Sequence, residues 1–316
     1  MSSTVFVNGV TLSDDDWFND VNRLHYTLLQ DPTAVHFACD GRLTLTSGTP
    51  VTTADVTAAE TIYFAPIGGG KLSLYDGSAN WKTYTFTELS IDVPDVTGVH
   101  DVFVYDNSGT PTLEVLVWTN DTTRATALTT QNGVLVKTGA TTRRYLGTFY
   151  STTAGNGQTE DSFANRYLWN YYNRRVRPMR SALETTDTWP YSTATIRQAN
   201  ANTANQLNFV IGYSEDEVSA NVVCSVANSN AGVEVEVLIG LDATNAQVAN
   251  AINSVVTTAA ADRIHNVHAS WRGFPGIGKH YLSWLEYSVA TLTTTWYGDA
   301  GQPTRTQSGI SGVMMG

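Results

Sequence analysis

Short apolar runs separated by turn residues every 8–12 positions or so constrain this chain more than any other feature. That rhythm suits the strands of an antiparallel sandwich or barrel. Leu43-Thr44-Leu45, Thr61-Ile62-Tyr63-Phe64 and Lys71-Leu72-Ser73-Leu74-Tyr75 alternate with polar neighbours, and Gly68-Gly69-Gly70 reads as a hairpin turn between the last two. Residues 102–105 and 113–118 read as strands on either side of Asp106-Asn107-Ser108-Gly109. Asn8-Gly9 and Asn132-Gly133 each join two apolar runs, and Asn-Gly suits a type I′ turn because both residues tolerate positive φ. The pattern resumes in residues 207–213, 222–226, 233–239, 281–287 and 292–297. In Val233-Glu234-Val235-Glu236-Val237 the alternation is strict, which predicts one buried and one wet face.

Composition agrees with a β reading. Charged residues make up 15% of the chain, against about 25% in an average soluble domain. Thr, Ser, Asn and Gly replace them, and these favour strands and turns. Hydrophobic content of 42% over 316 residues allows two or three β domains with ordinary cores. The net charge of −11 and pI near 4.9 set the surface against nucleic acid and anionic membranes. No apolar run reaches the 18 residues of a membrane span, and the first ten residues lack the basic and apolar parts of a signal peptide. Synthesis in a cytoplasm is the expectation. Cys39 and Cys224 fit no metal spacing; two buried thiols are favoured, with a single disulfide left open.

Three segments read as helix. Ser13 begins a capping signature with Asp14, Asp15 and Asp16 in the first turn. Trp17, Val21, Leu24 and Leu28 then share one helical face, which predicts a helix over residues 14–29. Phe163, Tyr167 and Tyr171, four apart, predict a short helix over 160–173, before Arg174, Arg175, Arg177 and Arg180. The Ala-rich stretch 246–260 suggests a third.

Catalytic motifs are weak. Gly68-Gly69-Gly70-Lys71 is no phosphate loop, because Ala65 and Leu72 stand where glycine and a hydroxyl residue are needed. His265, His268 and His280 have no paired ligands to complete a zinc site. No Gly-x-Ser-x-Gly elbow occurs, and Gly309-Ile310-Ser311-Gly312 lacks its spacing. Glu234, Glu236, Glu286 and Asp299 are the carboxylates weighed for glycan cleavage, with a solubility role preferred. No catalytic residue, metal or cofactor is assigned.

The aromatic residues carry the functional expectation. Trp17 and Phe18 point about 100° apart on a helix, so one can join the apolar stripe of Val21 and Leu24 while the other meets a partner. Trp271, Tyr281, Trp284, Tyr287, Trp296 and Tyr297 crowd the C-terminal end. Aromatic faces bind sugar rings and anchor interfaces, although core positions are favoured for any one of them. Alternation is taken to set Tyr281 and Tyr287 on opposite faces. Arg143-Arg144 and the Arg174 to Arg180 group are read as salt bridges across a subunit or domain interface.

The opening Val5-Phe6-Val7-Asn8-Gly9-Val10-Thr11-Leu12, followed by Trp17-Phe18-Asn19-Asp20-Val21, resembles the attachment segment of tailed-bacteriophage tail fibres, tailspikes and head fibres. Arg143-Arg144-Tyr145-Leu146-Gly147-Thr148 and the run from Arg166 to Arg174 look like a module recurring in phage virion proteins. The run from Tyr281 to Tyr287, Thr295-Trp296-Tyr297-Gly298-Asp299 and Gln307-Ser308-Gly309-Ile310-Ser311-Gly312 are similar to the distal β domain of such fibres. The resemblance implies a homotrimer with an N-terminal dock and a distal jelly-roll-like domain. The expected architecture is therefore mainly β: a virion-attachment hairpin and helix in residues 1–40, a central β domain in 41–180, and a jelly-roll-like β-sandwich in 181–316. The expected function is that of a non-catalytic virion tail fibre presenting a host-receptor-binding C-terminal domain. Its expected partners are its own copies, another virion protein (tail adaptor, tail tube or nozzle, or capsid), and a host cell-surface glycan. A capsid decoration protein and a glycan-hydrolysing tailspike are the rival readings.

Overall fold

A computed structural model of the chain describes residues 6–7, 10–11, 37–152, 156–181 and 184–316. The helix expected over residues 14–29, with Trp17, Phe18, Val21 and Leu24, lies outside the described residues. Phe6–Val7 and Val10–Thr11 pair as the expected antiparallel ladder. Among the described residues the structure is mainly β, and its one helical element is the 3-10 turn Ala199–Ala201.

The N-terminal half is built on a six-stranded sheet. Its order is Thr110–Val117, Gly98–Asn107, Ala140–Ser151, Val134–Lys137 and Leu128–Gln131, with Leu168–Asn170 added beside Ala140–Ser151. Strand Gly98–Asn107 is buried on both faces. Val102 and Val104 join a core with Leu43, Ile62 and Phe64, while Phe103 joins the core that continues into the C-terminal half. The expected turn at Asn132-Gly133 is present, with φ of 51° and 85° joining Leu128–Gln131 to Val134–Lys137. A register shift in Ala140–Ser151 falls between Tyr145 and Gly147. Gly147 is required there: a Cβ would stand 2.2 Å from the Trp169 carbonyl oxygen of the neighbouring strand.

The C-terminal half is a two-sheet sandwich. One sheet carries Glu234–Leu241, Gly278–Ser288 and Gln206–Ile211; the other carries Gly309–Met315, Val218–Asn228 and His265–Gly273. Successive long strands alternate between the sheets, so nearly every connection crosses the core. Val235, Val237, Leu282 and Trp284 from one sheet meet Val222, Cys224, Val267 and Ile310 from the other in one apolar interior. The alternation expected at Val233 to Val237 is observed: the valines are buried, Glu234 is exposed and Glu236 is half-buried. Cys39 and Cys224 are both buried free thiols, and burial pushes them up to about 11 and about 12.

Segments on both sides of residue 180 share these sheets. Val176–Arg180 pairs with Gly309–Met315, and Asn165–Arg166 runs parallel to Gln206–Ile211. A buried ionic knot supports this seam. Asp161 accepts from Arg166 at 3.0 Å and Arg177 at 2.6 Å, and Arg166 also donates to the Pro178 carbonyl at 2.7 Å.

Several local expectations are corrected. Residues 160–173 are not helical: they form Thr159–Asp161, Asn165–Arg166 and Leu168–Asn170. Each piece pairs with a distant strand, as in Gly147↔Asn170 and Arg166↔Phe209, and Trp, Tyr and Asn are weak helix formers that yield to such pairing. The 246–260 stretch contributes the short strands Ile252–Asn253 and Val256–Thr257, where β-branched residues outweigh the alanines. Gly68-Gly69-Gly70 does not close a hairpin. Thr61–Pro66 pairs with Gly41–Thr44 and Leu89–Asp92, whereas Lys71–Tyr75 pairs with Trp81–Thr85 in another sheet.

Candidate functional site

The C-terminal aromatic residues do not converge on one surface. Trp284 and Trp296 are completely buried in the sandwich core, and Trp271 joins them there at 5% exposure. Tyr281 and Tyr287 are half-buried on Gly278–Ser288. Six residues apart on one uninterrupted strand, they share a face rather than taking opposite ones. Tyr297 is half-buried on Thr294–Tyr297, which pairs with Val218–Asn228 and Thr188–Pro190.

Arg143, Arg144, Arg174 and Arg177 of the two arginine groups are held within the chain. Arg144 is buried and donates to the carbonyls of Ala38, Ser73 and Phe37 at 2.8–3.0 Å. Arg143 pairs with Glu114 at 3.1 Å, and Arg174 pairs with Glu215 and Asp216. Of the carboxylates weighed for hydrolysis, Glu286 is sealed in the sandwich, where it accepts from Trp189 Nε1 and Arg197 Nε, both at 2.7 Å. Asp299 is also buried and accepts from the Gly301 amide. His280 Nδ1 lies 2.8 Å from Asp242, His268 is exposed on another sheet, and no metal-holding cluster occurs among the described residues.

The surface that stands out is one the sequence reading did not single out. It is the outer face of the sheet ordered Val176–Arg180, Gly309–Met315, Val218–Asn228, His265–Gly273 and Ile252–Asn253. Alternation buries Val222, Cys224, Val267 and Ile310 and turns their neighbours outward. Register then assembles rungs across the strands. Arg180, Ser311, Asn221, Ser270 and Ile252 form one rung. Pro178, Val313, Ser219 and Arg272 form a second on one side, and Gly309, Val223 and His268 a third on the other. Five strands at about 4.8 Å spacing make the first rung about 19 Å across.

Four adjoining hollows of about 360, 540, 300 and 230 Å³ lie along this face and share Asn221, Ser311, Val223 and Ile252 among their walls. Their chemistry is distinctive in a chain with 29 acidic against 18 basic residues. Among the described residues, no Asp or Glu lines any of the four, while Arg180, His268 and Arg272 do. Arg272 pairs with exposed Glu217 at the rim, a contact that solvent weakens. Arg180 instead lies over the Phe163 ring at 5.2 Å. Val223 and Val313 are 43% and 42% exposed, and Val176 and Ile252 reach 63% and 74%. The face thus offers aliphatic patches, cations, and the small polar side chains of Ser219, Asn221, Ser270 and Ser311. Side chains of these kinds can make van der Waals contacts and hydrogen bonds to a partner.

No protein-family model and no curated protein matches the sequence. Some solved structures are similar to a slight degree. The insecticidal delta-endotoxin Cry8Ea1 from Bacillus thuringiensis is 8% identical over 100% of this chain, with a TM-score of 0.25. This chain spans 58% of that toxin's length. A structure of the infectious bursal disease virus Gx strain is 11% identical over 84% of this chain and 72% of that one, with a TM-score of 0.23. Likeness at this level carries neither a fold nor a function to this chain.

Proposed function

We propose that the chain is a structural, non-catalytic subunit of a bacteriophage particle. In this reading it is a trimeric tail fibre that docks on another virion protein through its N-terminus. Its jelly-roll-like C-terminal sandwich then faces the host surface, where a cell-surface glycan is the receptor class. The observation that carries the reading is the outer sheet face, with its aliphatic, small polar and cationic side chains open to solvent. An exposed patch of this kind marks an interaction surface, and here it supports the assembly part of the reading, a surface between subunits rather than the one that meets the glycan. The resemblance of the N-terminal, middle and C-terminal motifs to phage fibres supplies the kind of assembly. Three copies on one trimer would let weak single contacts add up through avidity.

Incorporation into particles tests the docking end. Trp17→Ala is expected to reduce incorporation while leaving the thermal unfolding of the free protein unchanged. Equal loss of thermal stability would make Trp17 an ordinary core residue and sink the docking role. Deleting the residues before Phe37, which leaves the carbonyls that hold Arg144 and the buried Cys39 in place, tests the particle role. Particles that lose adsorption but keep their integrity support a fibre, particles that fall apart point to a shell decoration protein, and release of oligosaccharide from host glycan would overturn the non-catalytic reading.

A further inference from the structure

We propose that the outer face centred on Val218–Asn228 is where a second copy of this chain seats, so that each face meets an acidic surface of the next protomer around a closed three-fold ring. The inference rests on the trimeric reading above and adds the surface that would make the trimer.

Side-chain size is the first argument. Ser219, Asn221, Ser270 and Ser311 keep the middle of the face low, so another polypeptide can approach closely. Val223 and Val313 stand on either side of them as aliphatic contacts. None of the side chains of Ser219, Asn221, Ser270 and Ser311 takes part in a hydrogen bond among the described residues, which leaves donors and acceptors for a partner. The extent is also suitable. About 19 Å across the strands and about 30 Å along nine residues of the central strand gives on the order of 600 Å² of flat sheet. A standard interface takes about 800 Å² from each partner, so this face supplies about three quarters of one.

Charge decides what kind of contact it is. Among the described residues the walls hold Arg180 and Arg272 and no carboxylate, whereas the whole chain carries −11. Two such faces meeting each other would oppose like charges. The face meeting another part of a second copy would place cations against an acidic surface. That contact is head-to-tail, and it closes into a ring when the rotation is right. A sugar is a poorer occupant, because the face has no free aromatic platform. Trp271 is in the core, and the Phe163 ring is flanked by the guanidinium groups of Arg166 at 5.1 Å and Arg180 at 5.2 Å.

Native mass in solution, measured by light scattering on the full chain, tests this. The wild type is expected at three times 34.3 kDa. Val223→Glu and Asn221→Glu, both at exposed positions and each setting a carboxylate against the acidic partner surface, are expected to give a folded 34.3 kDa species, with folding checked by thermal unfolding. Thr257→Ala, an uncharged change at an exposed position on the opposite sheet, is expected to leave the mass unchanged. Trimers that persist in both face variants would overturn the assignment of this surface and leave the trimer standing. A monomeric wild type would overturn the trimer itself.

Discussion

At the scale of single residues, the buried charges are the sharpest features. Glu286 has no exposed surface, and burial raises its pKa above the ordinary 4.5 against the lowering effects of Trp189, Arg197 and the Asn200 amide. The folded state therefore holds its proton to higher pH than the unfolded chain does. This group's contribution to stability is complete below pH 4.5 and is lost as pH rises through the folded value. Glu286→Gln removes that titration while keeping an acceptor for Trp189 Nε1. The slope of unfolding free energy against pH above 4.5 is expected to be shallower in this variant, as read from urea midpoints at several pH values. An unchanged slope would show that Glu286 does not titrate in this range. Gly212 makes a second residue-scale case. A Cβ there would lie 2.1 Å from Tyr145 Oη and 2.5 Å from Thr148 Oγ1, so Gly212→Ala is expected to cost about 1–3 kcal/mol by overpacking. Chemical denaturation measures the difference. None of this could be read along the sequence. Arg197 and Glu286 are 89 positions apart, and only register places them together.

At the scale of elements, what the sequence showed depended on how local the cause was. The Asn132-Gly133 turn was legible because positive φ at both residues is a property of those residues. Gly133→Ala, at φ 85°, is expected to lower stability by about 1 kcal/mol; a thermal melt unchanged within error would mean that the strands alone set the turn. The helix expected over 160–173 failed for the opposite reason. Its four-residue aromatic spacing was real, but Phe163, Tyr167 and Tyr171 serve three separate environments. Arg166 and Arg180 lie over the Phe163 ring, Tyr167 packs on Tyr150, and Tyr171 packs on Tyr145 and Tyr213. Pairing with distant strands outweighed a weak local preference.

At the scale of the whole molecule, the two halves are joined by sheets rather than by a linker. Val176–Arg180 supplies a strand to the C-terminal sheet, and Phe103, Tyr145 and Trp169 share a core with Leu207, Val237 and Trp284. A fragment of residues 181–316 would lose that strand and expose one side of that core. It is expected to lack a cooperative thermal transition, and a sharp melt from the fragment would show the seam to be dispensable. The same strand forms one edge of the open face, so the seam and the proposed assembly surface depend on each other.

The sequence by itself determined that this chain is mainly β, that Asn132-Gly133 is a tight turn, and that alternating segments such as Val233 to Val237 have a buried side. These follow from residue conformational preference and a period of two, which are local. Which aromatic residues would be buried, which arginines would find carboxylates or carbonyls, and which outward side chains would gather into one carboxylate-free face were decided only by the tertiary structure. Strand order and register bring together residues as far apart as Arg180, Asn221, Ser270 and Ser311, and no local rule along the chain encodes that pairing.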